Sequence, residues 1–467
     1  MKNAVNIAIS AVIVVFYSIF QPIPAYGEFP AIMAYVGLIP VVAIVISLIK
    51  RKDVSTAIIT LVIYQTWNMF LSPYLWEEKI VAVHRVIREE HIPLMATFSA
   101  LSVWAIYLGF FAFKSRKTKP KPFFPSKKIT EKKLQRLTIA TIVSGFAISA
   151  FEFLLGFIGV KISFVGMVAD MMPALVLCVF SIYYLRGGRN IFLIIMVIIY
   201  TAYNFIYYIG GTLFIYSIIL VSAPVAVYVV EKKKIPVISV VIVAIALLPI
   251  YMSRHDYRNE GLLSSGSERM EIGMKILEDE YVNFSLEKNR ERLIKSDEES
   301  NVDNRFEGVS YLATVVHCVE DRDYPYQYGK TFVWLPTLVL PRFLVPMRPS
   351  MNMGDEWAVY YRVKERSWKA SINFPMLVEF YANFGWLGMV VLSFIQGWLV
   401  AFVCSKFNDG RGDVNLIFLV FLLPKFIIVE ANVTLSYGLI LQVVFIIWVY
   451  KKFFQAKTEP TLQHRLR

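Results

Sequence analysis

The sequence predicts an all-α integral membrane protein with about twelve transmembrane helices, both termini in the cytoplasm and one large external helical loop. Of the 467 residues, 57% are hydrophobic and only 18% are charged, and the mean hydropathy is +0.55. The apolar residues form long runs, and the basic residues cluster in alternate connections between those runs. Because the bilayer core offers no water to unpaired backbone groups, such runs are expected to cross it as helices.

Twelve apolar runs are each long enough to cross about 30 Å of hydrocarbon as a helix. They fall at residues 4–20, 31–49, 54–72, 92–113, 138–160, 167–185, 190–208, 211–230, 235–252, 376–404, 414–430 and 434–450. Lys2 precedes the first run, as in a signal peptide. We expect this run to remain as an uncleaved helix, because it is long for a signal sequence.

The distribution of basic residues predicts the orientation. The net charge is +13, and residues 114–136 alone carry ten Lys or Arg residues against one Glu. By the positive-inside rule, the connections that hold this excess lie in the cytoplasm. They contain Arg51 and Lys52, residues 114–136, Arg186 and Arg189, residues 232–234, Lys406 and Arg411, and the tail from Lys451. Topology and contact with anionic lipid account for the basic excess, so no nucleic-acid partner is expected.

This topology divides the chain into three parts. Residues 1–252 hold the first nine transmembrane helices, residues 253–375 form the large extracytoplasmic loop, and residues 376–467 hold the last three helices and a basic cytoplasmic tail. The loop carries 17 basic and 20 acidic residues, so its charges are mixed and do not act as an orientation signal. Because functional residues concentrate in loops on a rigid scaffold, we expect the chemistry there.

Local patterns predict the structure of this loop. The sequence from Ser265 to Glu268 has the form of a capping box, so a surface helix is expected to begin there. The apolar stretch 309–319 predicts a second helix. Residues 331–346 are apolar but contain three prolines, and we expect them to be re-entrant or to lie in the membrane interface.

Two arginines in the loop, Arg342 and Arg348, each stand beside a proline in an apolar stretch. An arginine at membrane depth is costly without an anionic partner, and its guanidinium group bonds two phosphate oxygens in parallel. Contact with lipid headgroups, or pairing with Asp or Glu, is the alternative interpretation. Glu379 lies just inside the tenth span and shares a helical face with Asn383, four residues later.

These residues belong to an ordered set of motifs. In chain order the motifs are Gly329-Lys330-Thr331-Phe332, Pro341-Arg342, Pro346-Met347-Arg348-Pro349 and Glu379-Phe380-Tyr381-Ala382-Asn383-Phe384-Gly385. The order resembles that of the Wzy-like oligosaccharide repeat-unit (O-antigen) polymerases of bacterial cell envelopes, over roughly residues 300–397. The family tends to have Trp-Pro-x-Lys-Pro where this chain has Val-Pro-Met-Arg-Pro from position 345, so the charge is kept and the Trp is not.

The resemblance implies a GT-C-like membrane glycosyltransferase. Such an enzyme polymerises polyprenyl-diphosphate-linked repeat units into O-antigen, capsule or exopolysaccharide on the outer face of the cytoplasmic (inner) membrane. Its expected partners are the lipid-linked donor, the lipid-linked acceptor and the bilayer. The resemblance also suggests a chain-length regulator and a flippase as protein partners. No cofactor is expected, and the reaction is expected to be independent of metal.

The resemblance also implies roles for individual residues. The catalytic roles fall on Glu379, Arg342 and Arg348, with both arginines at the diphosphate. The substrate-binding roles fall on Arg305, Lys330, Tyr381 and Asn383, and His317 is added to them for its residue type, since it lies in none of the motifs. A general base must accept the proton of the attacking sugar hydroxyl. By residue type, the candidates for this role are Glu379, His317 and Glu320. Glu379 is the first choice.

Two further interpretations concern metal and function. The sequence Asp321-Arg322-Asp323 has the Asp-x-Asp pattern of metal-dependent nucleotide-sugar transferases, but its acidic neighbour and the following Pro325 favour an acidic surface turn. An O-antigen ligase uses the same donor chemistry and stays open as an alternative function. A twelve-helix transporter or flippase fits the number of spans, but it is less compatible with an external loop of about 120 residues.

Overall fold

A computed structural model describes most of the chain. It covers residues 2–19, 28–75, 90–118, 120–157, 163–210, 214–234, 236, 238–243, 245–247, 249, 266–282, 307–339, 345, 353–362, 374–429 and 431–450. Throughout these ranges the regular elements are helices, and no strand is present. The all-α class predicted from the sequence is therefore the class of the described structure.

The α-helices are numbered in chain order. The first eight are α1 (Lys2–Ile19), α2 (Glu28–Arg51), α3 (Val54–Phe70), α4 (His91–Lys114), α5 (Glu131–Phe157), α6 (Ser163–Leu185), α7 (Ile191–Gly210) and α8 (Phe214–Lys232). The others are α9 (Gly266–Leu277), α10 (Glu307–Val316), α11 (Met353–Tyr360), α12 (Met376–Lys406), α13 (Asp413–Ile427) and α14 (Val433–Tyr450). Two π-helical turns follow α9 and α10, at Glu278–Val282 and His317–Asp321. Residues 238–243 and 245–247 are also helical.

Five helices in the described ranges are long and apolar enough to cross a membrane. They are α2, α4, Glu131–Phe151 of α5, Ile191–Ile209 of α7, and α12. Shorter apolar stretches lie in α1, α6, α13 and α14. Each of the predicted apolar runs overlaps a helix, and the chain is a helical membrane protein as expected. The number of twelve crossings and their direction stay predictions.

Both helices expected between residues 253 and 375 are present. Helix α9 begins at Gly266, within the capping box, and packs against α7 around Ile209 and Ile276. Helix α10 and its π-helical turn cover the predicted stretch 309–319. Residues 331–335 form turns and Pro336–Val339 a 3-10 turn, so the described part of this apolar stretch is not a membrane-length helix.

Helices α4 and α12 form the most extensive helix–helix contact in the described structure. A β-carbon added to Gly109 would lie 2.0 Å from the carbonyl oxygen of Phe394, and one added to Gly397 would lie 2.0 Å from that of Ile106. Within a bilayer, small residues allow helix backbones to approach closely, and association depends on that packing. The glycines on both helices therefore fix the position of α12 relative to α4.

An ion-paired cluster joins several connections between helices. Arg186 donates to the two carboxylate oxygens of Asp413 at 2.7 and 2.5 Å and to Glu231 at 2.5 Å. Asp413 also accepts from the backbone N–H of Ile129 at 2.5 Å. Because Asp413 is buried, these bonds are needed to offset the loss of its hydration.

Replacing Gly397 by Ala is expected to lower the free energy of unfolding by about 1–3 kcal/mol, because the added methyl group forces the backbones of α4 and α12 apart. The measurement is the midpoint of thermal unfolding of the detergent-purified protein. Leu387→Ala is the control, because Leu387 lies on α12 with 73% of its surface exposed. The control should change the free energy by under about 0.5 kcal/mol. Equal midpoints for the two variants would contradict the close α4–α12 contact.

Candidate functional site

Helix α12 is broken two turns after it begins. Phe384 (φ −140°, ψ 17°) and Gly385 (φ 64°, ψ −157°) leave the helical region, so residues 376–383 form a short half and residues 386–406 a long half. Essentially only glycine adopts the conformation of Gly385. A β-carbon there would also lie 3.0 Å from the hydroxyl oxygen of Tyr326. The apolar run 376–404 predicts one uninterrupted span, and the break corrects that expectation.

A loop of residues 326–331, which we call the clasp loop, closes over this break. The backbone N–H of Gln327 donates to the carbonyl of Ala382 at 2.9 Å, and that of Tyr328 donates to the carbonyl of Asn383 at 3.0 Å. Carbonyl groups at the end of a helical segment lack intrahelical partners, and leaving them unpaired away from water is unfavourable. The clasp loop supplies the missing donors.

The side chain of Asn383 holds the clasp loop in place. Its oxygen accepts from the backbone N–H of Gly329 at 2.9 Å, and its amide nitrogen donates to the Thr331 hydroxyl at 2.8 Å and to the Glu379 carbonyl at 2.7 Å. Asn383 is fully buried, so these three bonds satisfy most of its hydrogen-bonding capacity without water. Asn383 thereby joins the motif that contains Gly329 to its own motif, although Gly329 and Asn383 lie 54 residues apart. Lys330, between the two contacting residues Gly329 and Thr331, has an exposed side chain.

Glu379 is buried at the centre of this arrangement, with 2% of its surface exposed. Its Oε2 accepts from the backbone N–H of Val433, the first residue of α14, at 2.8 Å. The Thr331 hydroxyl also hydrogen-bonds to the carboxylate. A carboxylate at a helix N-terminus pairs with an N–H group that lacks an intrahelical partner and is favoured by the helix dipole. Glu379 therefore connects α12, α14 and the clasp loop.

A second carboxylate, that of Glu320, is exposed beside the clasp loop. Its Oε1 accepts from the hydroxyl of Tyr381 at 2.8 Å and from that of Tyr326 at 3.3 Å. Burial raises the pKa of the Tyr326 phenol, and the neighbouring Glu320 carboxylate raises this pKa further. The ring of Tyr381 packs on that of Trp386, with centroids 4.5 Å apart. The two phenols therefore orient a carboxylate that solvent reaches.

His317 lies in the same π-helical turn as Glu320. Its Nδ1 is 2.7 Å from Oδ2 of Asp321, and Nε of Arg322 donates to its Nε2 at 3.0 Å. Oδ1 of Asp321 is 3.3 Å from Nε2 of His91, the first residue of α4. The side chain of Asp321 is 5% exposed, whereas Asp323 is exposed and has a φ of 54°. The two acids of the Asp-x-Asp sequence thus have different surroundings.

The structure brings some of the sequence-predicted residues together. Asn383 bonds to the residues on both sides of Lys330 and to the carbonyl of Glu379. Tyr381 bonds to Glu320, and His317 shares a π-helical turn with Glu320. Arg305, Arg342 and Arg348 lie outside the described residues, so their roles at the diphosphate stay predictions.

Sequence reasoning missed three contributors to this region, namely Thr331, Tyr326 and His91. Thr331 belongs to a motif that was recognised, so the motif itself was the available signal. Tyr326 stands two residues before Tyr328 in an aromatic stretch that gave no distinct chemical signal. His91 contacts Asp321 across 230 residues of chain, and no spacing rule relates positions so far apart.

The fold and the site define a helical membrane protein with a broken membrane-length helix, whose break is closed by a loop and surrounded by carboxylate, amide and phenol groups. No protein-family model, no curated protein and no solved structure matches this chain. The resemblance to the Wzy-like polymerases therefore depends on its motifs alone.

Replacing Asn383 by Ala is expected to destabilise the protein by about 1–3 kcal/mol, because the N–H of Gly329 loses its acceptor and the buried Thr331 hydroxyl loses a donor. Thermal unfolding in detergent measures the change, and hydrogen exchange of residues 326–331 should become faster. Asn204→Ala is the matched control, since Asn204 is buried on α7 and its amide donates to the Tyr200 carbonyl within its own helix. If the two substitutions had equal effects on stability and exchange, Asn383 would not hold the clasp loop.

Proposed function

We propose that this chain is a membrane glycosyltransferase of the Wzy-like type, which joins oligosaccharide repeat units carried on polyprenyl diphosphate. One observation carries the proposal: the Gly329-Lys330-Thr331 motif and the Glu379-to-Asn383 motif form one hydrogen-bonded unit through the Asn383 side chain. Motif residues that belong to one site must meet in space, and these do so although 54 residues separate Gly329 from Asn383.

The proposed reaction is a displacement at the anomeric carbon of the donor glycan. A sugar hydroxyl of the acceptor forms the new C–O bond, the bond from the anomeric carbon to the diphosphate breaks, and the hydroxyl proton passes to a general base. The polyprenyl diphosphate leaves with the bonding electrons. Fixed cations aimed at the developing phosphate charge lower the barrier. Arg342 and Arg348 are proposed for this role, and Lys330 offers an exposed ammonium group on the clasp loop.

The geometry favours Glu320 over Glu379 as the general base. A base must come within hydrogen-bonding reach of the sugar hydroxyl, and Glu320 is exposed while two phenols orient its carboxylate. Glu379 is buried and accepts from the start of α14. In this proposal Glu379 is a positioning residue whose carboxylate holds the first residue of α14 and Thr331 of the clasp loop, and Glu320 takes the proton.

The proposed topology has twelve spans, both termini in the cytoplasm and the clasp loop on the outer face of the cytoplasmic membrane. The two ends of α4 support this orientation. His91 at one end contacts Asp321, and both belong to segments assigned to the outside by the sequence. Lys114 at the other end pairs with Asp409, and both lie in or beside connections assigned to the cytoplasm.

The activity can be tested with the purified protein in lipid nanodiscs and a polyprenyl-diphosphate-linked oligosaccharide, resolving the products by size. A ladder of products is expected. Arg342→Ala and Arg348→Ala should each lower its formation by about 100-fold or more, which is the cost of losing one charge-stabilising donor. Thermal unfolding should be unchanged in both variants.

The control for these arginine variants is Arg136→Ala, which removes an exposed guanidinium from the basic segment 114–136 and should leave the ladder intact. Long polymer from both Arg342→Ala and Arg348→Ala would contradict the diphosphate assignment. A single added unit in the native protein would indicate a ligase, and unchanged substrate would reject both transferase functions.

The proposed roles of Glu320 and Glu379 can be distinguished by measuring both the reaction rate and the thermal stability of their variants. Glu320→Gln is expected to lower the rate by about 100-fold or more, the typical contribution of a general base, without changing the unfolding midpoint. Glu379→Ala is expected to lower the unfolding midpoint, because the buried N–H of Val433 loses its acceptor. Glu356→Gln and Glu356→Ala, at an exposed position of α11, are the controls. A large rate loss with unchanged stability in Glu379→Ala alone would return the role of base to Glu379.

A further inference from the structure

We propose that Glu90, His91 and Asp321 form a binding site for a divalent transition-metal ion, with Zn²⁺ as its best probe. The site links the beginning of α4 to the π-helical turn that follows α10. It is independent of the proposed glycosyltransferase chemistry, in which no metal takes part.

The measured distance between two of the donor atoms fits such an ion. One ligand atom from each of Glu90, His91 and Asp321 lies within 4.8 Å of the others. The His91 Nε2 and Asp321 Oδ1 atoms are 3.3 Å apart. Zinc bonds to nitrogen and oxygen are about 2.0–2.2 Å long in tetrahedral sites, so two ligand atoms of one ion lie roughly 3.3–3.5 Å apart. This pair has the required separation, and a carboxylate oxygen of Glu90 within 4.8 Å of both atoms reaches the ion after a change of side-chain rotamer.

A chain of hydrogen bonds orients the central ligand. Arg322 has no acceptor on its guanidinium, so its Nε donates to Nε2 of His317, at 3.0 Å. The proton of the neutral imidazole is then on Nδ1, which donates to Oδ2 of Asp321 at 2.7 Å. This bond turns Oδ1 of Asp321 toward His91. Metal-binding carboxylates are commonly held by hydrogen bonds of this kind, and the chain from Arg322 through His317 supplies it.

The donor types select the class of ion. One imidazole nitrogen with two carboxylates suits zinc or manganese, whereas magnesium and calcium prefer oxygen ligands alone. Two carboxylates also balance the charge of a divalent cation, and the side chains of His91 and Asp321 are only 13% and 5% exposed. Three protein ligands leave one tetrahedral position for a water molecule.

The proposal is tested by metal binding, with chelator-treated protein that carries no polyhistidine tag. Zn²⁺ titration followed by dialysis and elemental analysis should give one ion per chain, and Zn²⁺ should raise the unfolding midpoint. Asp321→Asn and His91→Ala should lose both effects. His317→Gln should weaken zinc binding by about 10–100-fold, the typical effect of removing a residue that orients a ligand.

Asp323→Asn is the matched control, because it makes the same change at an exposed position two residues away and should bind as the native chain does. Co²⁺ gives a readout that is independent of stability: its visible ligand-field absorption should appear on binding and disappear when Zn²⁺ is added. No bound zinc, equal binding by Asp321→Asn and the native chain, or displacement of Zn²⁺ by equimolar Mg²⁺ would each overturn the proposal.

Discussion

The pairing of backbone groups at the break in α12 is the constraint on which the candidate site depends. An unbroken helix satisfies its own carbonyl groups, but a break exposes them, and lipid cannot bond to them. The clasp loop provides two N–H donors at the break, and Asn383 in turn binds the clasp loop with its side chain. The break and the loop therefore stabilise each other. Glycine at position 385 permits the break, because it adopts this conformation without the steric strain that a side chain would add.

As a result, the long half of α12 packs against α4 and the short half positions polar side chains. Gly397 in the long half lies against the α4 backbone, which anchors the helix by packing. The short half carries Glu379 and Tyr381, whose positions are set by hydrogen bonds to Val433 and Glu320. A site built on a packed helix keeps its geometry better than one built on loops alone. Polar groups are thus held at fixed distances next to a membrane-length helix.

The sequence predicts the helices well because the bilayer imposes a simple rule of length and composition on every span. It does not reveal the break at residues 384–385, since one glycine in an apolar run hardly changes the hydropathy. The contacts of Gly329 and Thr331 with Asn383 were anticipated only through the motifs that carry the family resemblance. Whether Glu379 or Glu320 is exposed depends on the packing of α14 and α10, which no local pattern specifies. Tertiary packing therefore decides which of the two glutamates is exposed to solvent.

The π-helical turn after α10 places two consecutive acids in opposite settings. Such a turn contains an extra residue relative to an α-helix, and it is frequent at functional sites. Glu320 is exposed and binds Tyr381, whereas the side chain of Asp321 is buried and contacts His317 and His91. Because the two acids share one turn, a stronger link between Asp321 and α4 also restricts the position of Glu320. A metal ion bound at Asp321 would therefore affect the geometry of the site while the transfer reaction itself needs no metal.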